Sequence, residues 1–483
     1  MGCKRQMRRW SATSQFVVVA VALFTALFRC CDCSTPMCNV HEDHHDDGPL
    51  YLSPMIRDGR IDEARAACKV NLNDSAAAGV DSCAGYLTVD EAHDSNLFFW
   101  FFPAASGNGE APVVLWLQGG PGAPSLYSVF NENGPFSVNE AGGLLRRNHT
   151  WTSTHSMLYV DNPVGAGYSF TGDEAGYTTN QTAVAKNLYS ALVQFFELYP
   201  EHRDNDFYVT GESYAGKYVP AVSYAIHQNN PGARVKINLK GLAIGNGLID
   251  PTNQMVYSEF LYERGLIDNT NRQIMEKMED EARECIAAGN YSDAFDAMST
   301  PLSMFTKLTG LQYIYNVMWK YDPIPYKGGH WYQYVQRMSV RGALHVGLSQ
   351  WSGMDVVFGR MKYDVPLSVA PLLSAILETG QYRVLLYSGQ LDAIVPYQGS
   401  VNVAKALRWS GAERFRNANS TAWMVPERNC RKRCNITESA GYATTYGPLT
   451  MLLIRNAGHM VPHDQPMWAY NMIDRFTSGQ PFD

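Results

Sequence analysis

The stretch "FYVTGESYAGKYVPA", residues 207–221, starts as a strand and breaks off at Gly211. Phe207, Tyr208, Val209 and Thr210 are aromatic or β-branched, the composition of a buried pleated surface. Gly211, Glu212, Ser213, Tyr214, Ala215 and Gly216 then ring one hydroxyl with small residues. A strand that turns sharply into a helix lifts the middle side chain of the turn above the sheet, and small neighbours are needed because the backbone is crowded there. Ser213 is therefore a candidate nucleophile, although Ala215 stands where glycine is more usual in such a turn.

Working outward, apolar runs alternate with helical patterns, which predicts an α/β fold with a mostly parallel sheet. The expected strands are Asn96–Phe102, Pro112–Gln118, Ser156–Asp161, the run from Phe207, Ile237–Gly247, Tyr382–Gly389 and Leu449–His459. Ahead of Phe207, the spacing of Ala183, Leu188, Leu192, Phe195 and Phe196 predicts a helix, so strand, helix and strand form a crossover unit. Residues 252–360 differ in character, being rich in helix formers, Met and aromatics. They read as a helical insertion at the carboxyl edge of the sheet, with Ile274, Met278, Ala282 and Ile286 on one face.

A serine hydroxyl attacks only when a base takes its proton, and a carboxylate must hold that base in one tautomer. In the α/β-hydrolase order the acid and then the histidine each follow a later strand. Asp392 in "SGQLDAIVP" and His459 in "RNAGHMVPHDQP" meet both requirements, and His463 is a weaker competitor because it lies farther from its strand. Alone, either residue would be read as a turn acid or a loop histidine. Acyl transfer also needs two N–H donors for the oxyanion. The Tyr214 amide is one, and the Gly-rich loop "WLQGGPGAPS" offers Gly119 or Gly120 for the other.

The chain has 483 residues, 46% hydrophobic and 18% charged, enough to bury a large core. A net charge of −7 without a dominant basic block gives no indication of nucleic-acid binding. Residues 1–33 read as a signal peptide: Lys4, Arg5, Arg8 and Arg9 precede the apolar run Phe16–Phe28, which is too short to span a bilayer stably. Secretion would leave Cys38, Cys68, Cys83, Cys285, Cys430 and Cys434, whose pairing spacing does not choose. Asn73, Asn148, Asn180, Asn290, Asn419 and Asn435 head glycosylation sequons. "HEDHHDD", His41–Asp47, reads as a solvated tail, and no metal or other cofactor is expected.

Together "WLQGGPG", "ENGPF", "YVDNPVGAGYSF", "GESYAGKYVPA", "IGNGLIDP", "GQLDAIVP" and "NAGHMVPHDQP" resemble the serine carboxypeptidases, and most closely their vitellogenic-like branch. The resemblance runs from about residue 85 to the C-terminus and is weakest across the insertion. It implies an α/β-hydrolase fold with a helical cap, and a serine-type carboxypeptidase that releases single C-terminal residues from peptides through an acyl-enzyme. Ser213, Asp392 and His459 would be catalytic, the amides of Gly120 and Tyr214 the oxyanion hole, and Gln118, Glu132 and Glu212 the site for the substrate carboxylate. Two carboxyls crowded in a dry site hold a proton and can donate it to a carboxylate, which predicts an acidic optimum.

Two departures stand out: Gln118 where many members carry Asn, and Ala123-Pro124 where many carry Cys-Ser and a disulfide. The implied organisation is a signal peptide (1–33), an N-terminal extension or pro-segment (34–84), core (85–251), cap (252–360) and core (361–483). Peptide or protein C-termini are the expected partners, in the secretory pathway or a lysosomal compartment. A homodimer is a further expectation; an acyltransferase using the same three residues and a non-catalytic secreted binder are the competing readings.

Overall fold

The computed structural model describes residues 48–323, 325, 329–426 and 437–483. The signal segment, the His41–Asp47 cluster, Cys38, Cys430, Cys434 and Asn435 lie outside them. A ten-stranded sheet runs in the order β1-β2-β6-β3-β7-β8-β9-β12-β11-β10. Its centre is parallel: β6 (Ser156–Val160), β3 (Val113–Leu117), β7 (Phe207–Glu212), β8 (Leu239–Gly245), β9 (Arg383–Gly389) and β12 (Leu449–Ile454).

Both edges are antiparallel, where β1 (Cys83–Asp90) and β2 (Ser95–Phe102) flank one side and β11 (Thr437–Tyr446) and β10 (Ser420–Pro426) the other. A small hairpin, β4 (Phe136–Val138) and β5 (Leu144–Arg146), lies apart. All seven expected strands are present, but β1, β4, β5, β10 and β11 were not among them. Nor did the run containing Asn96–Phe102 signal that its strand pairs antiparallel with β6.

Each strand of the centre is apolar on both faces because helices cover both. On β2, Leu97, Phe99 and Phe101 enter one core cluster, while Phe98, Trp100 and Phe102 enter the other. Helix α1 (Leu126–Asn131) follows β3, α2 (Gln181–Leu198) precedes β7, and α3 (Ala215–Asn229) follows it. The first core packs α2 and α3 through residues such as Leu188, Leu192, Val219 and Val222. The second packs α1 through Leu126 and Phe130 and the C-terminal helix through Trp468 and Met472.

Residues 50–52 lie along the β1 edge, with Leu52 N–H bonding Tyr86 O at 2.9 Å and Tyr86 N–H bonding Leu50 O at 2.9 Å. A Cys68–Cys83 disulfide joins the following helix (Ile61–Ala67) to the start of β1, and Cys285 is also disulfide-bonded. Strand edges invite pairing with other chains, and this segment covers one of them.

Between β8 and β9 the chain is mainly helical, led by α4 (Tyr257–Glu263), α5 (Asn269–Ala287) and α6 (Tyr291–Thr309). The buried face of α5 is turned partly away from the expected one: Ala282 is buried and Met278 and Ile286 are half-buried, but Ile274 is not inside. Ile274 is 41% exposed, and Met275, Glu279, Ala282 and Cys285 face inward. The reason is a polar contact: Glu279 accepts the Ser258 N–H at 2.7 Å and the Ser258 hydroxyl at 3.0 Å, tying α5 to the start of α4. Burial pushes the Glu279 carboxyl up to about 7, with the two Ser258 hydrogen bonds acting in the opposite direction.

A carboxyl held above its unfolded value supports the fold fully below that unfolded value and loses its contribution as pH rises through the folded one. Thermal unfolding is therefore expected at lower temperature at pH about 8 than at about 5, with a smaller drop in Glu279→Gln, because Gln stays neutral while still accepting from Ser258. Identical pH slopes for the two proteins would refute this contribution.

Candidate active site

The central strands end at one level, and the predicted residues follow those ends. Glu212, the last residue of β7, pairs with Gly245 on β8, Gly245 with Tyr387 on β9, and Gly389 with Ile454 on β12. Ser213 comes next and sits in the left-handed region at φ +63°. That conformation costs a non-glycine residue about 1–2 kcal/mol, and surrounding bonds hold it. Ser213 N–H bonds Gly245 O at 3.0 Å, and Ser213 O accepts the N–H groups of Gly216 and Leu248 at 2.9 Å each. The Gly-rich loop packs against this turn so closely that a Cβ on Gly119 would stand 2.5 Å from Tyr214 N and 2.6 Å from Ser213 Cβ. Only glycine fits there.

His459 Nδ1 lies 2.7 Å from Asp392 Oδ2, both side chains buried. The same oxygen accepts Asn246 Nδ2 at 2.6 Å, while Oδ1 accepts Ile394 N–H at 2.9 Å and Val395 N–H at 3.2 Å. A carboxylate can only accept, so Nδ1 carries the proton and Nε2 keeps its lone pair. Nε2 has no hydrogen-bond partner, and no bond closes between it and Ser213; nucleophile and base often tighten only once substrate is present. The competitor His463 contacts Asn131 O at 3.0 Å instead. Asn246 lies in "IGNGLIDP", where the sequence alone assigns it no role. Its Oδ1 also accepts Gly389 N–H at 3.2 Å, so it locks the Asp392 loop to β8.

Gly120 has φ +109°, and neither its amide nor that of Tyr214 donates a hydrogen bond to another described residue. Beside them Gln118 Nε2 donates to Glu132 Oε1 at 2.6 Å and Gly119 N–H returns to Gln118 Oε1 at 2.9 Å. The longer amide thus braces the loop and the acid together. Ser128 also donates to Glu132 Oε1, at 2.9 Å. Glu132 Oε2 and Glu212 Oε2 are both buried without a partner, and two neighbouring buried carboxyls cannot both ionise cheaply. Burial raises both, and the neighbouring Glu132 charge raises Glu212 further, well above the usual carboxylate range. Asp161, pushed up to about 7 by burial, accepts Leu126 N–H and Tyr168 N–H at 3.1 Å each and so fixes the start of α1, which leads to Glu132.

Residues 74–479 match the family model described as serine carboxypeptidase. The chain belongs to that family. It is 46% identical over 450 residues to a venom serine carboxypeptidase of Apis mellifera, covering 91% of this chain and 93% of the relative. It is 41% identical to the vitellogenic carboxypeptidase of Aedes aegypti, covering 89% and 90%. A human probable serine carboxypeptidase, CPVL, shares 40% over 90% of each chain. These relatives agree with the vitellogenic-like resemblance. Among solved structures, a prohormone-processing carboxypeptidase from Saccharomyces cerevisiae superposes with a TM-score of 0.74 at 24% identity, covering 86% of this chain and 96% of that one. That match supports the α/β-hydrolase fold.

In this serine carboxypeptidase a strap from the helical insertion crosses between the loops that carry Asp392 and His459. Ala393 N–H bonds Ile314 O at 3.1 Å, His459 N–H bonds Tyr315 O at 2.7 Å, and Val317 N–H bonds Leu391 O at 3.0 Å. The Tyr315 ring lies 5.1 Å from that of His459, and Asn316 donates to Asp464 Oδ2 at 2.8 Å, which also accepts Gly458 N–H at 2.6 Å. No motif marks these strap residues, because their main chains make most of the contacts.

Among the described residues no three His, Cys, Asp or Glu side chains form a metal-binding group, and no helix is long and apolar enough to cross a membrane. Asn73, Asn148, Asn180 and Asn419 are exposed and Asn290 is half-buried. Asn180 caps α2 through its side-chain oxygen, which leaves its nitrogen for modification.

Removing the Asn246 amide leaves Asp392 Oδ2 with His459 alone. Asn246→Ala is expected to lower kcat on the order of tenfold, the worth of one hydrogen bond to a charged group, with KM near that of the parent. Steady-state kinetics on a blocked dipeptide reads this directly, and an unchanged kcat would refute it.

Proposed function

We propose that this chain removes single amino acids from peptide C-termini by acyl transfer through Ser213, with an optimum in the acid range. The observation that carries the reading is the pair of buried carboxyls, Glu132 and Glu212, both raised above the ordinary carboxylate range, with Glu212 immediately before Ser213. Such a pair can donate to a carboxylate, and a peptide chain bears its own carboxylate at one place only, the C-terminus.

Ser213 Oγ attacks the scissile carbonyl carbon as His459 Nε2 takes its proton. The Gly120 and Tyr214 amides bind the oxygen as its charge develops. Collapse breaks the C–N bond, His459 gives the proton to the leaving amine, and the peptide remains as an ester on Ser213. Water then attacks with His459 again as base, the ester breaks, and Ser213 regains its proton. Asp392 holds the imidazole and balances its charge throughout.

The carboxylate site joins Gln118, Glu132 and Glu212 within a few residues of this centre, so the residue released is the last one. Residues 252–360 serve as the cap over the site and residues 1–33 as the leader into the secretory pathway, where the sequons become relevant. The pH sign follows from the raised carboxyls: protonated, the pair attracts the substrate carboxylate, and its ionisation as pH rises replaces that attraction with repulsion.

Two peptides test the reading, one with a free C-terminus and its amidated twin, incubated at about pH 5 where a raised carboxyl keeps its proton. Mass spectrometry should show one-residue shortening of the free acid, much slower shortening of the amide, and neither with Ser213→Ala. Equal rates on the two peptides would overturn the carboxylate site, and full activity of Ser213→Ala would overturn acyl transfer. KM for the free acid is expected to rise as pH moves from acid to neutral, and less steeply in Glu132→Gln.

A further inference from the structure

A second set of buried polar groups lies next to the Ser213 turn and has no part in the chemistry above. The Tyr214 hydroxyl, on a side chain only 3% exposed, donates to Asp364 Oδ2 at 2.5 Å. Gln181 Nε2, at the start of α2, donates to the same oxygen at 2.7 Å. Lys217, in the first turn of α3, donates to the main-chain carbonyls of Asp364, at 2.8 Å, and Leu367. Its ammonium sits 5.6 Å from the centre of the Tyr214 ring, and the Tyr218 ring meets that ring edge-on at 5.3 Å. Two segments distant in sequence, the start of α2 and the segment returning from the insertion, thus meet the start of α3 at Tyr214.

Generic packing does not explain this arrangement. Burial pulls Lys217 down to about 8 against the opposing pull of Asp364 and Asp250. Burying such groups costs several kcal/mol that apolar side chains of similar volume would not incur. What sets Tyr214 apart is its amide. The peptide between Ser213 and Tyr214 is gripped at its carbonyl end by two hydrogen bonds, while the Tyr214 N–H makes none. Ser213 is strained, so local preference does not orient this peptide. Its far end is fixed at two places: the Tyr214 carbonyl accepts the Lys217 N–H at 3.0 Å, and the Tyr214 hydroxyl is held by Asp364.

We propose that Asp364 is a positioning residue for the oxyanion site, anchoring the Tyr214 side chain and thereby the direction of the Tyr214 N–H, with Gln181 and Lys217 holding Asp364 in place. The proposal rests on the acyl-transfer reading. It deepens that reading by adding a residue that touches neither substrate nor reacting atoms.

The test uses Tyr214→Phe, Asp364→Asn and Asp364→Ala in the full-length protein, with two probes. A peptide aldehyde forms a tetrahedral adduct on Ser213 and reports on the oxyanion donors. A free-acid peptide ending in a D-residue binds without being cleaved and reports on the carboxylate site. Tyr214→Phe is expected to lower kcat and weaken the aldehyde on the order of tenfold, a fraction of the loss from deleting a donor, with KM and the D-peptide within about twofold.

Asp364→Asn, which can still accept from the tyrosine hydroxyl, should recover part of what Asp364→Ala loses. The double variant Tyr214→Phe/Asp364→Ala should be no worse than Asp364→Ala alone. Unchanged kcat and aldehyde affinity in Tyr214→Phe would overturn the proposal. So would an equal loss of both probes accompanied by a fall in Tm, the pattern of a purely structural role. A parent protein that neither cleaves peptides nor labels at Ser213 with a fluorophosphonate removes the acyl-transfer reading and the proposal with it. A parent that does both, with unaffected variants, sinks the anchoring role alone.

Discussion

The parallel register of β7, β8, β9 and β12 is the constraint on which the site depends. Parallel strands connected through helices all present their carboxyl ends at the same edge, and here the pairing sets Glu212, Gly245 and Tyr387 level, with Gly389 opposite Ile454 two residues further on. The residues just past those ends are Ser213, Asn246, the Asp392 loop and the His459 loop. A slip of one residue in any pair would turn that strand's side chains to the opposite face, where the close-packed neighbours do not fit them, so core packing also protects the site. Packing and chemistry are set by the same ladder.

Against that rigid frame the site uses buried polar groups in two different states. Asp392 is surrounded by donors, with four hydrogen bonds to its two oxygens, and its environment suits a carboxylate. Glu132 and Glu212 are buried with too few donors for two charges, and each has an oxygen without an outside partner. Their environment suits a shared proton. The same carboxyl chemistry thus sits in two settings that differ in the count of N–H and O–H groups within reach.

Much of this was legible in the chain itself. Ser213, Asp392 and His459 stand out because each follows an apolar run at a turn, and because acyl transfer demands their order. Features carried by main chain or by pairing direction were not legible. The outer strands β1, β10 and β11 lack the continuous apolar runs of the centre, and β11 mixes Thr, Ser, Gly and Tyr. On α5 an apolar periodicity placed Ile274 inside, whereas a hydrogen-bonded Glu279 decides which face turns inward. Asn246 hid for a related reason: it looked like one more turn residue between glycines, and its partner Asp392 lies 146 residues away. The anchoring role of Tyr214 depends on a contact across 150 residues.

The strap Ile314–Val317 has a consequence for how members of such a family can diverge. An insertion that merely roofed the sheet could be exchanged between relatives as an independent cassette. Here its main chain is bonded to the loops of both Asp392 and His459, and Asn316 is linked through Asp464 to Gly458. A transplanted insertion would arrive with a strap fitted to other loops, and His459 would shift with it. The smallest portable unit is therefore the insertion together with two loops that lie far from it in the chain, a discontinuous module that recombination at one pair of breakpoints cannot move.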